Sequence, residues 1–364
     1  MKKARRAWGS GVLVWPGAAA VLAAELAVRI SPETVTVLAP FGLVYPWALL
    51  VLAAGTVWRL VTGDLKGLIL PAVVLALTWV HAVETWGGWW SPSAEVRVDV
   101  GTEVEVLSWN VRLFDRYDAL GGASIRDSIL AVIDGEGADI VCLQECFIDE
   151  GKEAWMRRET LERRAGTGFW HADFSHEIDR NTHFGLVTLS KHPMVRTEVI
   201  RFENDANNGC IVTDVVVAGD TLRIFNAHLS SIRFDRKDYE AVRTGPDPDQ
   251  RARLWARLSK AWVKRAAQAR EVAEAVAASP HPVVLVGDFN DSPVSYALGR
   301  FDALDDAFEA GGLGVGGTYI GDLPPLRIDY ILHSPELEAR NFKTLDVELS
   351  DHRPLRARFA GSVQ

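Results

Sequence analysis

Five apolar runs in this 364-residue chain stop at a polar residue of the kind that binds metals or moves protons. Val104 to Trp109 ends at Asn110, Asp139 to Leu143 at Gln144-Glu145, and Thr221 to Ala227 at His228; Pro282 to Gly287 runs into Asp288-Phe289-Asn290, and Leu349-Ser350 precedes Asp351-His352. A single carboxylate after an apolar strand is ordinarily a turn or a helix cap. Five ends holding Asn, Glu, His, Asp, Asn, Asp and His make a poor set of caps. Gathered at one edge of a sheet, they would form a crevice of oxygen ligands and imidazoles. Carboxylate and amide oxygens suit a hard cation such as Mg²⁺ or Mn²⁺, which keeps positions open for water and phosphate oxygens. Two histidines add proton transfer near neutral pH. A metal, an activated water and a leaving-group stabiliser are what phosphoester hydrolysis requires. No Gly-x-Ser-x-Gly, P-loop or His-Glu-x-x-His pattern points elsewhere. Cys142, Cys146 and Cys210 are too few and too unpatterned for a disulfide framework or a zinc site, and the two that flank Glu145 read as small hydrophobes.

The elements that must position these groups are short apolar runs alternating with charged helical stretches, from about Val96 to near Phe359, the pattern of one α/β domain. Strands are expected at Val104–Trp109, Asp139–Leu143, Gly185–Ser190, Ile211–Val217, Thr221–Ala227, Pro282–Gly287 and Ile328–Leu332. The best helix is Arg251–Ala278, where Leu254, Leu258, Trp262, Ala266, Ala269, Ala273 and Val276 mark one face and Ser279-Pro280 closes the end. The stretch before it, with Pro246 and Pro248, reads as an irregular surface excursion.

At this level of detail the chain resembles a known family. Ser108-Trp109-Asn110, Leu143-Gln144-Glu145, Gly185-Leu186-Val187-Thr188-Leu189-Ser190-Lys191-His192-Pro193, Asn226-Ala227-His228-Leu229, Gly287-Asp288-Phe289-Asn290, Arg327-Ile328-Asp329-Tyr330 and Ser350-Asp351-His352-Arg353-Pro354 follow, in order, the motifs of the endonuclease/exonuclease/phosphatase superfamily, over roughly residues 102 to 360. The resemblance implies a two-sheet α/β sandwich of the deoxyribonuclease-I-like kind with the site at one end. It implies Glu145 as the principal metal ligand, with Asn110 and Asp351 nearby. It implies His352 as the base that activates water or holds the phosphate, oriented by Asp329, and His228 as the group that contacts the phosphate or protonates the leaving oxygen. Asp288 and Asn290 would position the nucleophile and stabilise the transition state. His183 stands near enough in sequence to reach the site, but a surface position is the simpler reading.

The first quarter of the chain has a different character. Residues 1–94 carry seven basic and four acidic residues, a balance of +3, which leaves 32 basic and 44 acidic residues, a balance of −12, for residues 95–364. Gly11–Val28, Phe41–Trp58 and Gly67–Val83 are each close to the length that spans a bilayer, and no polar face accompanies them. The expectation is an anchor of three transmembrane helices over residues 1–94 followed by a catalytic domain over 95–364. Lys2, Lys3, Arg5, Arg6, Arg59 and Lys66 flank the apolar stretches on one side, against Glu33 alone in the loop at 31–40. The positive-inside rule then puts the N-terminus in the cytoplasm and the catalytic domain outside it. Cleavage of a signal peptide ending near Ala27 would lead to the same placement. The linker through Trp89-Trp90-Ser91-Pro92 is short, so the domain is expected to work close to the membrane face.

Two substrate classes remain. The short tether and the acidic domain favour a phosphoester of a lipid headgroup at the bilayer, as in the sphingomyelinase-like members of the family. Arg253, Arg257, Lys260 and Lys264, with Trp255 among them, form a stripe on the long helix that would face anionic headgroups, with Arg257, Lys260 and Lys264 as substrate contacts; a solvated helix face explains the same stripe. The alternative is extracytoplasmic DNA or RNA, which a domain at −12 would repel unless divalent ions screened it. No protein partner is indicated.

Overall fold

A computed structural model of the protein describes residues 2–87, 103–117, 119–151, 154–179, 181–203, 205–321 and 325–360. The expected linker, with Trp89-Trp90-Ser91-Pro92, lies outside the described residues.

The N-terminal region is four helices: α1 (Lys2–Arg29), α2 (Ala39–Thr62), α3 (Ile69–Leu77) and α4 (Trp79–Trp86). Two segments, Val12–Arg29 and Thr36–Thr62, are long and apolar enough to cross a membrane. The third expected span is not one straight helix. It bends by 65° between α3 and α4, so the count is two spans, or three if the bent pair is one. The bend sits at Thr78, whose hydroxyl donates to Glu25 at 2.6 Å and also meets Tyr45. Along α1, Val14, Ala18, Val21, Ala24 and Val28 recur at helical spacing and pack against Tyr45, Ala48, Leu49 and Leu52 of α2. Glu25 and Arg29 pair at 3.0 Å at i,i+4 spacing, and Glu25 is buried in the bundle.

The remainder is a sandwich. Its strands are β1 (Glu103–Asn110), β2 (Ile140–Asp149), β3 (Phe169–Asp179), β4 (Thr182–Ser190), β5 (Met194–Arg201), β6 (Gly209–Val217), β7 (Asp220–His228), β8 (Val283–Asp288), β9 (Asp305–Asp306), β10 (Asp329–His333), β11 (Glu338–Thr344) and β12 (Leu355–Ala360). One sheet runs β11-β12-β1-β2-β4-β3 and the other β5-β6-β7-β8-β10-β9. Helices α5 (Ala123–Glu136) and α6 (Arg158–Ala165) cover the first sheet from outside, and α8 (Pro248–Ala277) covers the second. The inner faces meet through Val106, Ile140, Cys142, Ile224, Val284, Val286, Ile331 and Ala357, all fully buried. Each large aliphatic side chain buried there contributes about 1.5–3 kcal/mol. All seven expected strands are present. The long helix starts three residues early because Asp247 caps it in a reciprocal box with Gln250 and Pro248 fits its first turn. The stretch before it is not wholly irregular. It contains α7 (Arg236–Thr244), capped by Asp235 and Asp238.

Two parallel pairs set the working end. β1 lies parallel to β2 in one sheet and β7 parallel to β8 in the other, so their C-terminal ends coincide. Gly287 is needed where β8 lies beside Ala227 of β7, because a Cβ there would collide with the carbonyl oxygen of Ala227 and φ is +137°.

Candidate active site

Strand alternation aims most of the site. Side chains on β1, β7, β8 and β10 point in turn to the outer and inner faces, and Val106, Ile224, Val286 and Ile331 face the opposite sheet. Residues two or four positions along, Asn110, His228, Asp288 and Asp329, therefore face inward as well. β10 is antiparallel to β8 with Asp329 opposite Asp288, so the start of one strand meets the end of the other. β12 runs antiparallel to β1, which brings Ser350-Asp351-His352 back to the same edge, and Ser350 Oγ donates to the Asn110 carbonyl at 2.8 Å.

Glu145 is the exception. On β2, Ile140, Cys142 and Gln144 have the inward parity, so a regular strand would turn Glu145 outward. The strand does not end there, as expected, but continues to Asp149 through an irregularity between Leu143 and Cys146 in its pairing with β4. Glu145 takes φ +48° at that bulge. The bulge re-aims its carboxylate into the site, where Asn110 Nδ2 donates to it at 3.3 Å.

Asp288 is the hub. Its carboxylate accepts from Asn110 Nδ2 at 3.0 Å and stands 3.5 Å from His228 Nε2 and 3.7 Å from His352 Nε2. Burial, with the charge of Asp329 nearby, pushes its pKa up to about 6. His352 Nδ1 lies 2.9 Å from Asp329 Oδ2, which orients the ring. Burial disfavours the imidazolium of His352, but Asp329 and Asp288 outweigh it and hold its pKa well above the usual value. Burial pushes His228 the other way and keeps it neutral. Among the described residues the Nε2 of His228 is buried with no hydrogen-bond partner.

The remaining sequence candidates divide. Asp351 lies by Glu145, and the two like charges, after burial, raise the Glu145 pKa. Arg112 approaches Asp351 at 3.6 Å. Asn110 turns its amide oxygen to the backbone N–H of Arg112 at 3.1 Å, so ligation through that oxygen requires a half-turn of the amide. The side chain of Asn290 donates to the Leu229 carbonyl at 3.0 Å, and its backbone N–H donates to Asp288 at 2.9 Å, so it holds the loop around Asp288. Arg257, Lys260 and Lys264 do not line the site. Arg257 pairs with Asp235 and Asp238, Lys264 with Asp205, and Lys260 is exposed. His183 stacks on Phe174, and the three cysteines are buried and free.

Sequence reading missed Arg112 and the loop that carries it. Arg112, Leu113, Phe114 and Asp115 all have positive φ, four consecutive non-glycine residues in a sparsely populated region. Asp115 holds the turn by accepting from the backbone N–H groups of Ala119, Leu120 and Gly122. Also missed was a buried amide bridge, Gln144 Nε2 to Asn226 Oδ1 at 2.7 Å, which ties β2 to β7 across the sandwich. Asn226 shares the parity of His228, which was the available signal.

Glu145 and His228 open on a cavity of about 340 Å³ lined also by Leu113, Phe184, Asn207, Asn208 and Arg233. The donor set fits a hard divalent cation: Glu145 and Asp351 bring two carboxylates into mutual repulsion that a dication would relieve.

The description Endonuclease/Exonuclease/phosphatase family belongs to the family model that matches residues 107–352. No curated protein matches the chain. Among solved structures, the human Nocturnin catalytic domain with bound sulfate anion is 21% identical with TM-score 0.53, covering 73% of this chain and 97% of its own. A family protein from Bacteroides thetaiotaomicron is 16% identical with TM-score 0.54, covering 73% and 100%. One from Bacteroides vulgatus is 15% identical with TM-score 0.51, covering 72% and 100%. Likeness at such identity speaks to the fold, whereas the family match runs from the strand of Asn110 to His352 itself. The chain therefore belongs to the endonuclease/exonuclease/phosphatase family of hydrolases.

Proposed function

We propose that the protein is a divalent-metal-dependent phosphoesterase, held in the membrane by residues 1–94, whose domain over 95–364 hydrolyses a phosphodiester or phosphomonoester of a lipid headgroup at the outer face. The observation that carries the reading is Asp288 set between two imidazoles that are pushed to opposite charge states.

Glu145, Asp351 and Asn110 would hold Mg²⁺ or Mn²⁺, which supplies positive charge against the phosphoryl oxygens. Asp288, with its pKa near neutrality, takes the proton of the attacking water. Water oxygen bonds to phosphorus as the ester oxygen departs. The charged His352, fixed by Asp329, holds the phosphate and returns a proton to the leaving oxygen. This exchanges the base role expected of His352 for an acid role, because Asp329 and Asp288 favour its protonated form. Neutral His228 offers its unpartnered Nε2 to a phosphoryl oxygen, and Asn290 keeps Asp288 in place.

Placement at the outer face is supported by charge. The loop carrying Glu33, on the side poor in basic residues, pairs with Arg270 of α8 at 2.8 Å, so the sandwich and that loop share a side. A reporter fused at Gln364 should read as extracytoplasmic; a cytoplasmic signal rejects the orientation. For the substrate, the purified full chain with Mg²⁺ should release headgroup or phosphate from phospholipid or sphingolipid vesicles. Efficient cleavage of plasmid DNA with no release from lipids would reject the lipid reading in favour of a nuclease.

A further inference from the structure

The anchor meets the sandwich two residues from the site. Arg327 is buried over the rings of Phe308 and Tyr330 and pairs with Asp306 at 2.5 Å. Its other terminal nitrogen donates at 2.8 Å to the main-chain carbonyl of Glu84 in the last turn of α4. Carbonyls there have no partner within the helix, and a guanidinium satisfies one while meeting the negative end of the helix. Two residues on, Asp329 orients His352. Between them the segment is pinned: Tyr330 Oη donates towards the Arg327 carbonyl, and the N–H groups of Ile328 and Asp329 both donate to Thr318 Oγ1. The anchor also presses on the segment that follows Asn290, since a Cβ on Gly42 of α2 would collide with the carbonyl oxygen of Val294.

We propose that Arg327 is a positioning residue that ties the docked anchor to the Asp329–His352 pair, so that the anchor helices are a working part of the hydrolase as well as its tether. The proposal rests on the site reading above. It follows from the geometry that Arg327 spans two acceptors, one in each region, and that only a fork-shaped side chain can hold both. A slackened contact shifts Asp329, and a small misplacement of an orienting carboxylate acts on turnover more than on substrate affinity.

The test uses the full chain in detergent with Mg²⁺ and bis(4-nitrophenyl) phosphate. Arg327→Lys keeps a charge for Asp306 but loses the second reach. Gly42→Ala lifts α2 from Val294 without touching the site. Each variant should lower kcat by about 10- to 100-fold with KM unchanged and the melting transition retained. The double variant should lose no more than the worse single one, since the two contacts, Arg327 with Glu84 and Gly42 with Val294, belong to one docked interface and either variant loosens it. Unchanged kcat in the folded variants overturns the proposal, and so do losses that multiply in the double variant. If Arg327→Lys fails to fold, Gly42→Ala alone decides. His352→Ala in the same assay separates the premises. If it stays active, the site reading fails and the coupling with it. If it is dead while both variants match the parent, only the coupling fails.

Discussion

In the N-terminal helices Glu25, Thr78 and Tyr45 are buried, while Trp15, Val57, Leu60 and Val61 face outward at 50% exposure or more. In the sandwich the large aliphatic residues are mostly inside, and the buried charges are either paired, as Arg223 with Asp214 and Arg265 with Asp291, or gathered at one edge, where Asp288, Asp329 and His352 meet beside the partly exposed Glu145. Both regions thus bury ionisable groups, but they answer them differently. Glu25 is met on every side, by Arg29 at 3.0 Å, Thr78 at 2.6 Å and His81 at 2.8 Å. At the site, His228 Nε2 has no hydrogen-bond partner among the described residues, and Glu145 faces the like charge of Asp351. A satisfied buried polar cluster holds helices together. An unsatisfied one is held ready for a ligand.

That contrast breaks most readily at the site. Glu145→Ala, or removal of divalent metal with a chelator, should lower kcat by about 10²- to 10³-fold or more, the scale of losing an electrostatic stabiliser of the transition state. Melting of the metal-free variant should not fall, because the lost carboxylate was under repulsion; a destabilised variant would mean Glu145 is structural. The next effect is on pH. Asp288, raised from 3.8 to about 6 in the folded chain, binds its proton more tightly folded than unfolded. The metal-free protein should therefore lose stability as pH climbs from about 4 to about 6, while kcat/KM of the protein assayed with Mg²⁺ should rise with pH as the carboxylate becomes free to accept a proton. A flat rate profile between pH 5 and 8 contradicts Asp288 as the acceptor.

In the N-terminal helices the expected effects are on stability. Thr78→Val leaves Glu25 one hydrogen bond short and should cost about 1 kcal/mol, read as a lower melting temperature in detergent with KM unchanged. The smallest effect is on α8. Arg257→Gln removes partly exposed ion pairs to Asp235 and Asp238 and should cost less than about 1 kcal/mol, with kcat/KM for a soluble phosphodiester unaltered. A large loss of kcat/KM would restore Arg257 as a substrate contact.

Much of the site was legible because it lies on strands. Asn110, His228 and Asp288 end apolar runs, and Asp329 begins one, so alternation alone turns each to the inner face. The basic stripe on α8 misled for a physical reason: helical spacing shows which residues share a face but not which acids a distant loop brings to it. Asp205, Asp235 and Asp238 come from loops and α7 and pair with Arg257 and Lys264 of that stripe.

The sequence by itself determined the apolar N-terminal stretches, the alternating strands and the order of polar ends, since periodicity and composition are local properties. Tertiary structure decided what depends on residues far apart. The bulge turns Glu145 inward because β2 is paired with β4, and the Thr78 hydroxyl at the kink meets a carboxylate, Glu25, that lies 53 residues away in the neighbouring helix. The opposite shifts of His228 and His352 follow from burial, which prevails at His228, and from the carboxylates of Asp329 and Asp288, which prevail at His352. These are long-range contacts in a medium of low dielectric, where the identity of the neighbour, and not the residue itself, sets the energy.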